Sequence, residues 1–167
     1  MVVLNKIYTK TGDSGETGLG DGSRISKASL RITAIGAVDE TNSAIGIARL
    51  DAENDMDGML SRIQNDLFDL GADLSAPEDG RKSESRLRIS PAQVERLERE
   101  IDMMNEKLAP LTSFVLPGGT ALAAHLHLAR AIARRAEAAM VALAAQEKIN
   151  DAALRYANRL SDHLFVM

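Results

Sequence analysis

Apolar residues recur at helical spacing through most of the chain, and short polar stretches interrupt them. Over residues 29–50, Leu30, Ile32, Ile35, Val38, Ala44, Ile45 and Ala48 fall mostly three or four apart, as on one helix face. Residues 57–74 repeat the pattern through Leu60, Ile63, Leu67, Leu70 and Leu74. A third helix opens at Ser90-Pro91-Ala92-Gln93, where Ser90 can cap, Pro91 suits the first helical position and Gln93 can complete a capping box. Val94, Leu97, Ile101, Met104 and Leu108 carry it to Pro110. Thr120 can cap a fourth helix running to about Gln146, and Asn150 a fifth through Leu154, Ala157, Leu160 and Leu164. Five helices with short connections predict an all-α fold, a five-helix up-and-down bundle, in a single domain over residues 1–167.

Composition agrees. Aromatics are 3% with no Trp, while twelve of residues 121–145 are alanine, which favours closely packed helices over sheets. Two segments stand outside the helices. Ser75–Arg88 carries Pro77, Gly80 and seven charges and reads as a solvated, mobile loop. Thr9–Gly22 holds five of the twelve glycines and cannot be a stable helix, since each interior glycine costs about 1 kcal/mol. Residues 1–28 therefore read as a glycine-rich N-terminal loop ahead of a bundle over 29–167.

Charge and composition exclude several classes. A formal net charge of −4 argues against a nucleic-acid partner. Hydrophobic residues at 45% and charged residues at 26% are a globular balance, and a chain this long buries roughly 70% of the surface its unfolded form exposes. Without cysteine there is no disulfide, thiolate metal site or cysteine nucleophile. Met1-Val2-Val3-Leu4 is broken by Asn5 and Lys6, so no signal peptide is expected. The uncharged stretch Leu111–Ala129 contains Pro117-Gly118-Gly119 and two histidines and is not a membrane span. A soluble, cytoplasmic protein is expected.

Five features could carry chemistry. In the glycine-rich segment, backbone N–H groups can turn inward on an anion, Thr9, Thr11, Ser14 and Thr17 add hydroxyls, and Lys10 and Lys27 add charge, as in a phosphate cradle. It lacks the Gly-Lys-Ser/Thr of a Walker loop, and the same composition also reads as a flexible arm. On the fourth helix, at ~100° per residue, His127, Arg130, Arg134 and Glu137 fall within roughly 80° of one another. Arg135 faces a different side. Guanidinium forks match polyphosphate oxygens, although such a stripe also serves as a solvated face. Phe114, before Pro117-Gly118-Gly119, reads as a wedge toward a flat ligand or as a staple onto the bundle end. Asp39 can pair with an arginine from another helix or subunit, or simply form part of a polar turn. Asn158, within Asn158-Arg159-Leu160-Ser161-Asp162, is a hydrogen-bonding group or part of a surface cluster. There is no Glu-x-x-His pair of a di-iron bundle and no protein metal site is expected; nor is there a nucleophile elbow.

Taken in order, Thr9-Lys10-Thr11-Gly12-Asp13-x-Gly15, Val38-Asp39-Glu40-x-Asn42-Ser43, Phe114-x-x-Pro117-Gly118-Gly119, Arg130-x-x-x-Arg134-Arg135-x-Glu137 and Asn158-Arg159-Leu160-Ser161-Asp162 resemble the ATP:cob(I)alamin adenosyltransferases of the PduO type. The resemblance spans nearly the whole chain. It implies a trimer of five-helix bundles with active sites at subunit interfaces, ATP as cosubstrate with Mg2+, and a corrinoid such as cobalamin as acceptor. A reductase and an adenosylcobalamin-dependent acceptor enzyme are implied as partners. By matching position, Thr9, Lys10, Thr11, Gly12, Thr17 and Lys27 wrap the triphosphate, and Arg134, Arg135, Glu137 and Asn158 join the nucleotide. Arg130 resembles the partner of Asp39 across the interface, and Phe114 the residue covering the lower axial face of cobalt. Thr41, Ala157 and His163 depart from the family's common Leu, Leu and Tyr, and Met167 stands where members often carry a longer tail.

The implied reaction needs no protein base, because Co(I) is itself the nucleophile toward the 5′-carbon. The protein holds the two in line and neutralises the departing oxygens. Alternative readings are a nucleotide- or corrinoid-binding bundle without turnover, and a helical oligomerisation protein.

Overall fold

The computed structural model describes residues 7–78 and 86–167. Its helices are α1 Leu30–Ala48, α2 Asn54–Leu74, α3 Pro91–Asn105, α4 Ala121–Ala144 and α5 Asp151–Val166. The starts are set by side chains. Ser29 accepts from the Ile32 amide, Thr120 from Ala123 and Asn150 from Ala152, each cap stabilising its helix by about 1 kcal/mol. At α3, Gln93 Oε1 accepts from the Ser90 amide at 2.8 Å, the return half of the capping box.

α4 lies between α1 and α5; α3 packs on α5 and α2 on α1. Thus α3, which precedes α4 in the chain, packs mainly on α5 and meets α2 through side-chain links. The alanines explain the central place of α4: Ala129, Ala133 and Ala136 are buried and let neighbouring backbones approach. Ile45, Leu60, Ile63, Leu97, Met140, Leu143 and Ala153 complete a core without solvent contact. About 25 cal/mol per Å² of apolar surface removed from water makes this the main driving force.

Charged side chains tie the ends together. Arg31, 2% exposed, donates from Nη1 to the Leu74 carbonyl at 2.5 Å and pairs through Nη2 with Glu147 at 2.5 Å. One guanidinium thereby joins α1, the end of α2 and the α4–α5 link. Asp73 accepts from Arg88, from the Ile89 amide at 2.9 Å and from Asn150 Nδ2 at 2.7 Å. Between α2, α3 and α5, Asp66 accepts from the Tyr156 hydroxyl at 2.7 Å and also meets Arg96 and Gln93.

The structure departs from expectation in four places. The N-terminal segment is more than a loop: β1 Glu16–Gly18 pairs antiparallel with β2 Arg24–Ser26, Thr17 opposite Ile25. α2 starts at Asn54, ahead of the apolar repeat. α3 stops at Asn105 rather than continuing to Pro110, and Leu108 is exposed. Phe114 does not staple the bundle end; it is fully exposed. Of the loop expected over Ser75–Arg88, residues 79–85 lie outside the described residues, as does the Met1–Lys6 start. Among the described residues no helix is long and apolar enough to cross a membrane.

Candidate functional site

The hairpin gathers the N-terminal candidates. Lys27, just after β2, donates from Nζ to the Gly12 carbonyl at 2.8 Å, and its backbone amide donates to Gly15 at 2.9 Å. Arg24 donates from Nη2 to the carbonyls of Thr11 at 2.7 Å and Glu16 at 3.2 Å. Two cations therefore clasp the Thr11–Glu16 turn from the opposite strand. Gly15, at φ +86°, takes a backbone conformation that other residues adopt only with strain. Thr9 and Thr11 share a hydroxyl–hydroxyl bond at 2.9 Å, and Lys10 sits at φ +59° between them. The hairpin loop holds its own shape. Asp21 accepts from the Ser23 hydroxyl at 2.6 Å and amide at 2.9 Å, and these bonds keep its carboxyl below the usual range.

The hairpin docks on the bundle where the Gly20 amide donates to the Ser75 carbonyl at 2.9 Å. A Cβ on Gly20 would lie 3.1 Å from Ser75 Oγ, so only glycine permits this approach without displacement. Beneath the hairpin a cavity of about 580 Å³ is lined by Thr17, Lys27, Asp39, Asn42, Phe68 and Ser75, among others. Hairpin and α1 candidates thus share one space. Asp39 is exposed and, among the described residues, forms no ion pair.

The second group lies on α4 and α5. Asn158 donates from Nδ2 to Glu137 Oε1 at 2.8 Å, joining the two helices at candidate positions. Arg134 is exposed and has no hydrogen bond or ion pair among the described residues. Arg135, on the adjoining face, pairs with Glu40 of α1. The Arg130 guanidinium lies over the Phe165 ring at 5.8 Å, while its Nε is buried without a partner. Among the described residues no hydrogen bond or ion pair joins Thr9, Lys10, Thr11, Gly12, Thr17 or Lys27 to this group.

Phe114 forms a third location. Its segment, with Leu111, Val115 and Leu116, is exposed. Asn105, Pro110, Leu111, Val115, His127 and Phe165 border a mostly apolar cavity of about 510 Å³ at this end. Sequence reasoning missed Arg24, whose clasp depends on strand pairing; a cation inside the glycine-rich segment was the available signal. Among the described residues no three His, Asp or Glu side chains come together to hold a metal.

The fold and these groups define a helical bundle with a cation-clasped glycine-rich hairpin and a basic fourth helix. Residues 7–167 match the Cobalamin adenosyltransferase family model. The chain belongs to that family. It is 48% identical to the cobalamin adenosyltransferase of Cupriavidus metallidurans, over 98% of this chain and 86% of the relative. It is 47% identical to the corrinoid adenosyltransferase of Mycobacterium leprae, over 98% and 90% of the two chains. A variant of the Lactobacillus reuteri PduO-type ATP:corrinoid adenosyltransferase, complexed with cobalamin and ATP, superposes with a TM-score of 0.87. It is 39% identical, and the match covers 96% of this chain and 90% of that one.

Proposed function

We propose that the chain transfers the 5′-deoxyadenosyl group of ATP to the Co(I) of a corrinoid, giving adenosylcobalamin or its precursor and triphosphate. Co(I) supplies the electron pair of the new cobalt–carbon bond. The bond from the 5′-carbon to oxygen breaks, and triphosphate leaves with its electrons. The protein supplies position and charge rather than a nucleophile.

The observation that carries this reading is the clasped hairpin facing Asp39 across a shared cavity, in a chain of this family. Residues 1–28 act as the nucleotide-binding segment and 29–167 as the bundle. Thr9, Lys10, Thr11, Gly12, Thr17 and Lys27 surround the triphosphate. Arg134 and Arg135 add guanidinium forks, and Glu137 and Asn158 hold the nucleoside side. Mg2+ arrives with ATP as the triphosphate counter-ion, held mainly through phosphate oxygens.

The active site spans two copies in a homotrimer. Two facts support this: among the described residues no hydrogen bond or ion pair joins the hairpin to Arg134, and neither Asp39 nor Arg130 has an ion-pair partner. A neighbouring copy supplies Arg130 to Asp39. Phe114, free of the bundle, covers the lower axial face of cobalt and keeps water and the nucleotide base away, which eases reduction to Co(I). The electron comes from a reductase, the product goes to an adenosylcobalamin-dependent enzyme, and the setting is the cytoplasm.

Protein, ATP and chemically reduced cobalamin, mixed with and without magnesium, test the activity. Growth of the alkylcobalt spectrum with magnesium supports transfer. Binding of both ligands without that spectrum favours a carrier.

A further inference from the structure

The apolar cavity beside Phe114 has two helical walls. One is the end of α3 at Asn105, which leads into Leu108–Val115; the other is the end of α5 at Phe165 and Val166. Among the described residues two polar links join these helices: Arg159 Nε donates to Glu98 Oε1 at 2.9 Å on the solvent side, and a buried pair lies nearer the helix ends. His163 is fully buried, and its Nε2 lies 2.8 Å from Glu100 Oε2. Since the carboxylate accepts, Nε2 is the protonated nitrogen, and Nδ1 is buried with no partner. Glu100 Oε1 accepts from Arg62 of α2 at 2.9 Å, and Arg96 Nε lies 3.8 Å away.

An apolar seam would pack α3 on α5 equally well, and a buried ionic group is weak evidence for stability. A directed hydrogen bond does something apolar contact does not: it fixes the register of one helix along the other. Glu100 lies little more than one turn before the end of α3, and His163 lies two residues before Phe165. Sliding either helix would move a cavity wall and, through α3, the segment bearing Phe114.

We infer that Glu100 and His163 are a positioning pair: their bond sets the spacing of the cavity walls and thereby the placement of Phe114 and Phe165 against the corrinoid. This rests on the reading that the corrinoid is received beside Phe114.

Three variants test it: His163→Leu, His163→Gln, whose amide can still donate to Glu100, and Phe114→Ala. Steady-state kinetics are run with each substrate varied, below the melting transition. His163→Leu should raise the corrinoid KM about tenfold or more, since small misplacements near a reacting centre are amplified. The ATP KM should stay within twofold, and His163→Gln should recover most of the loss. Equal shifts for both substrates, or no rescue by a normally melting His163→Gln, would overturn the inference. If Phe114→Ala leaves every corrinoid parameter unchanged, the placement of the corrinoid is what fails. Wall positioning is then read from amide exchange over residues 108–116: faster exchange in His163→Leu supports the pair, and unchanged exchange refutes it. If His163→Leu does not fold, Glu100→Gln takes its place with the same readouts.

Discussion

Lys27 Nζ donates to the Gly12 carbonyl at 2.8 Å, so the cation that follows β2 closes the glycine-rich turn that precedes β1. The bond shapes the cradle and sets a positive charge beside it. Lys27→Ala should weaken ATP binding about tenfold to a hundredfold, the range for a lost hydrogen bond to a charged group. Lys27 is exposed, so the melting temperature should barely move. Calorimetric titration with ATP checks this, and unchanged affinity would remove Lys27 from the site.

Phe114 has no packing role to lose, being fully exposed. Phe114→Ala should leave stability within about 0.5 kcal/mol of the parent, as for other surface substitutions. ATP affinity should hold while the four-coordinate Co(II) spectrum disappears. Persistence of that spectrum would contradict the lower-face assignment.

Arg31 joins three elements through Leu74 and Glu147. Arg31→Met should destabilise the fold by about 3 kcal/mol, the lower end for a broken buried pair, because Glu147 still reaches water. Urea unfolding measures it. A loss under about 1 kcal/mol would mean the guanidinium is replaceable by packing.

Acid should loosen the α2–α3–α5 junction. Burial pushes the Glu100 carboxyl up, but hydrogen bonds from His163 and Arg62 outweigh it and bring it below its ordinary 4.5. The unfolded chain then binds the proton more readily, so this contribution is complete above 4.5 and fades as pH falls through the lower folded value. Asp69 acts oppositely: burial and nearby Asp66 raise it above 3.8, so its protonation favours the folded state. Urea midpoints should fall on acidification, less steeply in Glu100→Gln. Parallel curves for variant and parent would exclude Glu100 as a source.

The helices were legible because their signals are local. Ser90-Pro91, Thr120 and Asn150 act within one turn of their own chain. The apolar repeat misled at Leu108, which follows the spacing of α3 but lies past its end against the terminal cavity. Three-residue strands carry too little periodicity to reveal the hairpin. Arg31 sat unnoticed within an apolar run because its partners, Leu74 and Glu147, are remote in sequence. The motifs named candidates for the site, while the Arg24 clasp required strand pairing. Among the described residues no hydrogen bond or ion pair joins Lys27 to Arg134, a relationship that spacing along the chain does not reveal.

The shared site is tested most directly by mixing two damaged chains. Lys27→Ala and Arg134→Ala are co-expressed and assayed at limiting ATP against each variant alone. A site built from two copies regains turnover, because some interfaces pair an intact hairpin with an intact Arg134. Turnover no greater than the average of the separate variants, in oligomers verified to contain both chains, would place the site within one chain and contradict the proposal.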